Sequence, residues 1–327
     1  MRTETNMTTE TNMTTEAGTH AATDKSTEGR TMTTLTAEVR AADALLVKRT
    51  KRRRHVRSVL KHIGLIVLSI VMIYPLIWLV VSSLKPNNEI FTDLSIFSTN
   101  LSLDNYIYGW DSQQLPFSHF MMNSTILVIG AILGNLISCS LAAYAFARLR
   151  FWGRNLYFAI MLGTIMLPFH VVLVPQFIIF RELGWLETFL PLIVPKFLAT
   201  DAFFVFLMVQ FIRGIPKEIF EAARIDGAGH PRIFTQVTLP LMVPALATTA
   251  IFTFIWTWGD LFGPLIYLRT RENFTVSVAL KGFIDAQSTS NYGAMFAMSV
   301  VSLLPLFFAF LIGQKYLVKG IATTGIK

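Results

Sequence analysis

Charged residues and cysteines are both scarce in this chain of 327 residues. Lys, Arg, Asp and Glu together make up 15% of the sequence, whereas hydrophobic residues make up 53%, and the mean hydropathy is +0.53. Such a composition is too apolar for an ordinary soluble domain, so it indicates a polytopic membrane protein. Because Cys139 is the single cysteine and lies in an apolar stretch, a disulfide framework is excluded.

Motifs that bind nucleotides or metals are absent as well. No segment has the Walker A form Gly-x-x-x-x-Gly-Lys followed by Ser or Thr, and no cluster of His, Cys and Asp has metal-ligand spacing. We therefore predict that the chain has no catalytic residues, no metal site and no cofactor of its own. On this basis it is not predicted to be an enzyme.

The first 47 residues lack a sustained apolar period. They are rich in Thr and contain the hexapeptide TNMTTE twice in tandem, at 5–10 and 11–16. A segment of this kind cannot bury enough apolar surface to offset the entropy lost on ordering. Residues 1–47 are therefore predicted to form a disordered cytoplasmic tail.

Residues 48–62 form a basic segment directly before the first apolar stretch. Eight Lys or Arg residues lie between 48 and 61, in a chain whose net charge is +8. Positive charge next to a membrane span is typical of a cytoplasmic juxtamembrane anchor, which is the interpretation we favour. A nucleic-acid-binding patch is the alternative.

Six apolar stretches in the domain 63–327 have the length of a transmembrane helix. We predict an all-α fold with six membrane spans, at 63–84, 120–146, 156–180, 189–211, 241–268 and 292–313. With the N-terminus in the cytoplasm, the inner segments after the tail hold 18 Lys or Arg residues and the outer segments hold 5. This asymmetry predicts that both termini are cytoplasmic.

The polar segment 214–240 is predicted to form two short helices outside the bilayer. Pro216 suits the first position of a helix and Gly227 suits its end, while Glu221 is favourable near the positive end of the helix dipole. Pro231 marks a second helix start. Helices of about ten residues are not stable alone, so the segment needs a surface on which to pack. An interfacial amphipathic hairpin is one interpretation.

A motif in this segment resembles the cytoplasmic loop of bacterial ABC importer permeases. The tripeptide EAA at 221–223 is followed by Gly227 and by VTLP at 237–240, with Val where Ile is usual. The longer string EAARIDGA is similar to the carbohydrate-uptake branch of that family, of the maltose type. The resemblance implies that the segment is a coupling helix that docks on an ATPase subunit. The residues of this contact would be Glu221, Ala222, Ala223, Asp226, Gly227, Leu239 and Pro240.

The resemblance extends over most of the chain after the tail. AYAFARLRFWGRN at 143–155 and QKYLVKGIATTGIK at 314–327 look like the same type of subunit. The partners that it implies are a second permease subunit, a dimer of ATP-binding subunits that binds the ATP, an extracytoplasmic sugar-binding protein and the lipid membrane, with no nucleic acid. It also implies a multi-pass protein of the bacterial cytoplasmic membrane.

Titratable side chains at membrane depth are the candidates for a substrate pathway. Such groups are costly against lipid and usually face the interior of a bundle or a cavity. A carboxylate suits sugar hydroxyls, and tryptophan rings suit C–H surfaces. The candidate residues are Asp260, Trp256, Trp258, Lys196, Asp201 and His170. The alternative is structural, with Asp260 capping a helix and Lys196 paired with Asp201.

Taken together, these patterns predict a permease subunit of an ATP-driven sugar importer that forms half of the translocation pathway. The rival is an ion-coupled carrier that works alone, with Asp201, Lys196 and His170 as its relay. Such carriers usually have paired internal repeats, which are not visible in this sequence. A membrane scaffold is a third interpretation, which the intramembrane charges and prolines disfavour.

Overall fold

The computed structural model describes residues 57–95, 100–284 and 290–322, and every regular element in these ranges is a helix. The predicted disordered tail 1–47 lies outside the described residues, as does most of the basic segment 48–62. An apolar chain in lipid must satisfy its backbone N–H and C=O groups internally, and helices do this within each segment. The predicted all-α fold is confirmed.

Two compact units divide the chain at Pro75. The described part of the first unit, 57–75, is the beginning of helix α1 (Arg57–Ser83), and all of its side chains are exposed. Because residues 63–75 are apolar almost throughout, their exposed side chains suit contact with lipid.

The second unit, 76–327, contains the remaining helices. They are α2 (Asp104–Asp111), α3 (Phe117–Arg148), α4 (Arg154–Thr164), α5 (Phe169–Glu182), α6 (Leu190–Ile193), α7 (Ala202–Gly214), α8 (Lys217–Ile225), α9 (His230–Ile233), α10 (Leu239–Leu241), α11 (Val243–Gly259), α12 (Phe262–Tyr267), α13 (Val276–Lys281) and α14 (Tyr292–Ala322). Short 3₁₀ segments follow α6 and precede α13, and a π-helical turn joins α9 to α10.

Helix α3 is the central element of this unit. Helices α7 and α11 and the 3₁₀ segment Val194–Leu198 pack along it, and α11 also packs against α14. At Gly134 an added Cβ would lie 2.9 Å from the backbone carbon of Lys196, so a larger residue has no room there. Small residues let helix backbones approach closely in membrane proteins. Through Gly134, α3 holds the segment that carries Lys196.

Within 57–95, 100–284 and 290–322, four helices are long and apolar enough to cross a membrane, and a bent pair makes a fifth if it counts as one span. The four are α1, α3, Leu190–Gly214 and Tyr292–Lys315. The pair consists of His230–Leu241 and Val243–Gly259, bent by 74°. These elements correspond to five of the six predicted spans.

The predicted span 156–180 is not a single helix. Two shorter helices, α4 and α5, take its place and are separated at residues 165–168. Pro168 lies at this break with φ −60° and ψ 132°, directly before α5. Proline has no N–H to donate and disfavours helical backbone in the residue before it. The total of six spans therefore stays a prediction.

Candidate functional site

The segment 214–240 folds as short helices with a turn at Gly227. Helix α8 begins directly after Pro216, which precedes the helix instead of occupying its first position. Gly227 has φ +77°, and the N–H groups of Gly227 and Ala228 donate to carbonyls of α8 at 3.0 and 2.9 Å. A left-handed residue of this kind is the usual reason for glycine at a helix end. The predicted end of the first helix is confirmed.

Most residues of the EAA motif face away from the core. Glu221, Ala222, Asp226, Gly227 and Pro240 are exposed, whereas Ala223 and Leu239 are half-buried against apolar neighbours. The buried side chain of α8 is Phe220, which is 6% exposed. Helix α8 therefore attaches to the rest of the unit mainly through one aromatic ring and keeps its motif accessible.

Arg148, at the end of α3, fixes α8 in place. Its Nη2 donates to the carbonyl oxygens of Ile212 and Ile215, both at 2.7 Å. Its guanidinium carbon lies 3.7 Å from the centre of the Phe220 ring. One side chain thus joins α3, the end of α7 and α8 through charge-assisted hydrogen bonds and a cation–π contact. Sequence reasoning missed this role because carbonyl acceptors leave no mark in a sequence motif.

Tyr144, one turn before Arg148 on α3, supports the second helix of the segment. Its hydroxyl lies 3.1 Å from Nδ1 of His230, at the start of α9. Its ring packs against that of Phe234, with 5.3 Å between centroids. Both halves of the segment therefore rest on the same end of α3.

Lys196 and Asp201 form an ion pair at the predicted membrane depth. Lys196 Nζ lies 2.9 and 3.1 Å from the two carboxylate oxygens of Asp201, and the side chains are 29% and 25% exposed. Asn135 Nδ2 donates to Asp201 Oδ2 at 2.7 Å and to Thr253 Oγ1 at 3.1 Å. This network links α3, α11 and the segment before α7, and it contains the pairing that was the structural alternative for Lys196.

A cavity of about 150 Å³ adjoins this network. The lining residues with a polar side-chain atom are Lys196, Trp256, Asp260, Gln176, Thr257 and Tyr267. Three of these, Lys196, Trp256 and Asp260, are among the predicted pathway residues. Apolar walls with a few converging polar groups are typical of small-molecule sites.

Asp260 both caps a helix and lines the cavity. It follows the last residue of α11, and its Oδ1 accepts the N–H of Gly263 in α12 at 3.2 Å. An added Cβ on Gly263 would lie 2.6 Å from Asp260 Oδ2, so the carboxylate occupies space that glycine leaves. The two alternatives that the sequence left open for Asp260 are thus geometrically compatible.

Trp258 and His170 are placed away from the cavity lining. Trp258 is 6% exposed, its Nε1 donates to the carbonyl oxygen of Ser302 at 3.0 Å, and its ring stacks on Phe254. His170 is exposed on α5, with its ring 5.9 Å from that of Phe262. Of the six predicted residues, the structure therefore brings four together: Lys196, Trp256 and Asp260 line the cavity, and Asp201 pairs with Lys196.

Glu187 joins the loop before α6 to the chain after α12. Its carboxylate accepts the N–H groups of Arg269 and Thr270 at 2.8 and 2.9 Å, and its own N–H donates to the carbonyl oxygen of Tyr267 at 3.0 Å. Burial alone would raise the pKa of Glu187, but the backbone N–H donors outweigh it and hold the pKa below its ordinary value. Sequence reasoning missed Glu187 because its partners are backbone groups.

Comparison with known proteins places the chain in a family. Residues 127–323 match the family described as binding-protein-dependent transport system inner membrane component. The arabinooligosaccharides transport system permease protein AraQ of Halalkalibacterium halodurans is 32% identical, over 81% of this chain and 95% of that protein. The trehalose/maltose transport system permease protein MalG of Thermococcus litoralis is 30% identical, over 84% of this chain and 99% of that protein.

The fold is shared with a solved structure as well. The crystal structure of a bacterial ABC transporter involved in the import of the acidic polysaccharide alginate contains a chain with a TM-score of 0.71 and 23% identity, covering 80% of this chain and 97% of that one. The range matched by the family, 127–323, includes both the cavity and the segment 214–240. The chain therefore belongs to the family of inner membrane components of binding-protein-dependent transport systems.

Proposed function

We propose that this chain is a permease subunit of an ATP-driven sugar importer and forms half of the translocation pathway. The observation that carries the proposal is the exposed EAA motif on α8 in a chain of the binding-protein-dependent transport family. Helix α8 has nine residues, too few to be stable without a surface on which to pack. Its outward side is free to contact another protein.

The exposed side of α8 suits a cleft in an ATP-binding subunit. Ile225 is 87% exposed and lies one turn from Glu221 and adjacent to Asp226. An apolar side chain next to carboxylates fits an interface with an apolar centre and a cation at its rim. The ATP is bound by that partner.

Helix α3 connects the α8 surface to the cavity. Its end holds α8 through Arg148, and its middle contacts Asp201 through Asn135. A shift of α8, caused by closure of the ATP-binding subunits, would therefore act on the same helix that contacts the cavity network. Rigid-body movement of packed helices is a common way to open and close a central path.

A sugar is the proposed substrate. The two relatives named above are permeases for arabinooligosaccharides and for trehalose or maltose. In this chain, Asp260, Gln176 and Trp256 share one cavity, and such groups suit the hydroxyls and C–H surfaces of sugars.

The proposed assembly contains a second permease subunit, a dimer of ATP-binding subunits and an extracytoplasmic sugar-binding protein in the bacterial cytoplasmic membrane. Both termini and α8 lie on the cytoplasmic side. The distribution of 18 against 5 Lys or Arg residues supports this orientation.

Charge reversal at Glu221 tests the proposal. In membranes that contain the assembled complex, we expect Glu221→Lys and Gly227→Pro to abolish sugar uptake while the permease still reaches the membrane. Loss of a charge pair with the ATP-binding subunit costs about 2–5 kcal/mol if the pair is desolvated and under about 1 kcal/mol at a wet rim. Glu182→Lys, which makes the same charge change at an exposed residue of α5, is the control and should transport normally. Full uptake by Glu221→Lys with no bound ATP-binding subunit would support the ion-coupled rival instead.

A further inference from the structure

A basic recess lies where α3 ends and α4 begins. Its volume is about 390 Å³, and it is lined by Arg150, Phe151, Gly153, Arg154, Asn155 and Leu156. Gly153 has φ +75°, and its carbonyl oxygen accepts the N–H of Tyr157 at 2.9 Å. An added Cβ on Gly153 would lie 2.9 Å from the Tyr157 ring, so the turn favours glycine. This turn places two arginines, Arg150 and Arg154, at one recess.

The two arginines have donors to offer a ligand. Arg150 is exposed and Arg154 is half-buried. Arg154 Nη1 donates to the carbonyl oxygen of Leu149 at 3.2 Å, which uses one of the five N–H donors of the guanidinium. The planar fork of an arginine matches the geometry of a phosphate group. The recess therefore suits a phosphate.

These arginines lack an acidic partner within the part of the chain that the structure describes. Neither takes part in an ion pair there, and the sequence contains no Asp or Glu from 112 to 181. A further cation, Arg213 of α7, lies over the ring of Phe158 on α4, 5.1 Å from its centre. The surface around the start of α4 is thus positive and attracts an anion from outside the chain.

Helix stability alone does not explain Arg154. It is the first residue of α4, whose first turn contains no acid. Because the N-terminal end of a helix carries partial positive charge, a cation is unfavourable there. An anion bound in the recess would offset this cost.

The side of α4 next to the recess suits lipid. No residue of α4 is buried, and Leu156, Tyr157 and Ile160 are exposed along about 6 Å of the helix. Trp152, in the turn, is 87% exposed. Trp and Tyr are enriched where a membrane meets water, so a phosphate bound here would have apolar surface directly beside it. That combination matches a phospholipid better than a soluble anion.

We propose that the recess binds the headgroup of an anionic phospholipid. Arg150 and Arg154 contact its phosphate, and an acyl chain lies along the exposed apolar side of α4. The inference goes beyond the proposed function in sugar import, because the ligand of this site is a component of the membrane.

The test locates lipid binding in the assembled complex by photo-crosslinking in detergent micelles. The probe is phosphatidylglycerol with a photoreactive headgroup, and crosslinked peptides are identified by mass spectrometry. In the wild type we expect crosslinks within 149–157. Arg150→Gln and Arg154→Gln should each reduce them about fivefold, and the double variant about 25-fold. Arg57→Gln, which makes the same charge change at an exposed arginine of α1, is the control and should crosslink within 149–157 like the wild type.

Competitors identify the anion. Unlabelled phosphatidylglycerol should displace the probe, whereas phosphatidylcholine at the same mole fraction and glycerol 3-phosphate in solution should displace it far less. Equal competition by phosphatidylcholine would show that the negative charge of the lipid is not recognised. Equal competition by glycerol 3-phosphate would show that the site takes a soluble phosphate. Either result overturns the inference.

Folding and assembly are measured on the same preparations. Because Arg150 is exposed, Arg150→Gln should unfold at the wild-type temperature, and Arg150→Lys, which keeps the charge but not the fork, should crosslink more than Arg150→Gln. Wild-type crosslinking in both Gln variants, or an equal loss in Arg57→Gln, overturns the inference. If Arg150→Gln instead loses a copurifying protein subunit, the recess contacts protein and the inference also fails. Sugar uptake by the same complex shows separately whether the proposed function holds.

Discussion

The α8 segment and the cavity network differ in how their charged groups are satisfied. On α8, Glu221 and Asp226 are exposed, whereas at the cavity Lys196 and Asp201 pair with each other. Water or another protein can solvate the first set, but lipid offers no partner to the second. The exposed charges of α8 are therefore available to a partner subunit, whereas Lys196 and Asp201 satisfy each other within the chain.

The two regions share helix α3. Arg148 at its end and Asn135 near its middle are 13 residues apart in the sequence, which corresponds to about 20 Å along the helix axis. Each donates to a neighbouring element, Arg148 to backbone carbonyls and Asn135 to Asp201. Variants at Arg148 should therefore disrupt the α8 segment and leave the cavity network in place, and variants at Lys196 or Asp201 should do the reverse.

The largest effect is expected at Arg148. Arg148→Ala removes the side-chain donor to the carbonyls of Ile212 and Ile215, of which Ile212 keeps the N–H of Ile215. Because the variant also exposes Phe220, we expect a loss of about 2–4 kcal/mol in unfolding free energy. Limited proteolysis of the purified complex should show faster cleavage within 214–240. Arg150→Ala, at an exposed arginine two residues away, is the control. Equal proteolysis of both variants would contradict the anchoring role of Arg148.

The second effect, at the cavity, is measured with a double-mutant cycle. Lys196→Met or Asp201→Asn alone leaves a charge at membrane depth without its partner, and because both side chains are partly exposed we expect a cost of about 1–3 kcal/mol each. The double variant should recover most of this loss, since no unpaired charge remains. If thermal unfolding shows that the stability losses of the two single variants add up in the double variant, the interaction between Lys196 and Asp201 contributes nothing to stability. Binding of α8 to the ATP-binding subunit should not change in any of the three.

Sequence patterns predicted the α8 segment better than the cavity. The turn at Gly227 and the exposed EAA motif follow from local rules, because a helix end and a polar surface are determined by neighbouring residues. The cavity depends on residues far apart in the chain, such as Gln176, Lys196 and Tyr267. No periodicity records which of these meet, so Trp258 was grouped with Trp256 although its indole N–H bonds to Ser302.

Helix breaks show the same limit. The stretch 156–180 is mostly apolar and long enough for a span, yet helix α4 ends at Thr164 and helix α5 begins only after Pro168. Length and hydropathy measure only the cost of placing a segment in lipid. A proline leaves backbone groups of its helix without their hydrogen-bond partners. Whether the helix then bends or ends depends on which other groups bond to them, and those groups lie elsewhere in the fold.

A smaller effect is expected at Gly227, within the α8 segment. Its φ of +77° is unfavourable for a residue with a Cβ, although an added Cβ would meet no atom within 4 Å. Gly227→Ala should therefore cost about 1–2 kcal/mol through backbone strain alone, and Gly227→Asn less, since Asn tolerates this conformation. Gly229→Ala is the control, because Gly229 has extended backbone. If Ala and Asn at 227 have the same unfolding temperature as Gly229→Ala, the turn does not require glycine.

The smallest effect is expected at Glu187, a carboxylate at the surface that nevertheless has partners inside the chain. Its hydrogen bonds from Arg269 and Thr270 hold its pKa below the ordinary value of 4.5. A carboxyl with a lowered pKa in the folded state stabilises fully above the unfolded value, and this contribution is lost as pH falls through the folded value. Because Glu187 is partly exposed, the contribution should be less than about 1 kcal/mol.

Glu187→Gln keeps the side-chain shape but cannot ionise, so it isolates the charge. We expect the wild-type complex to unfold at a slightly higher temperature than Glu187→Gln at pH 6, and the difference to shrink as the pH is lowered below 4.5. Glu182→Gln, at an exposed acid whose ion pair with Arg181 lies on the surface, is the control for general loss of negative charge. A difference that is constant with pH would mean that the charge of Glu187 does not stabilise the fold. Glu187 would then resemble Glu221 on α8, whose charge is available to a partner, more than Asp201, whose charge is paired within the chain.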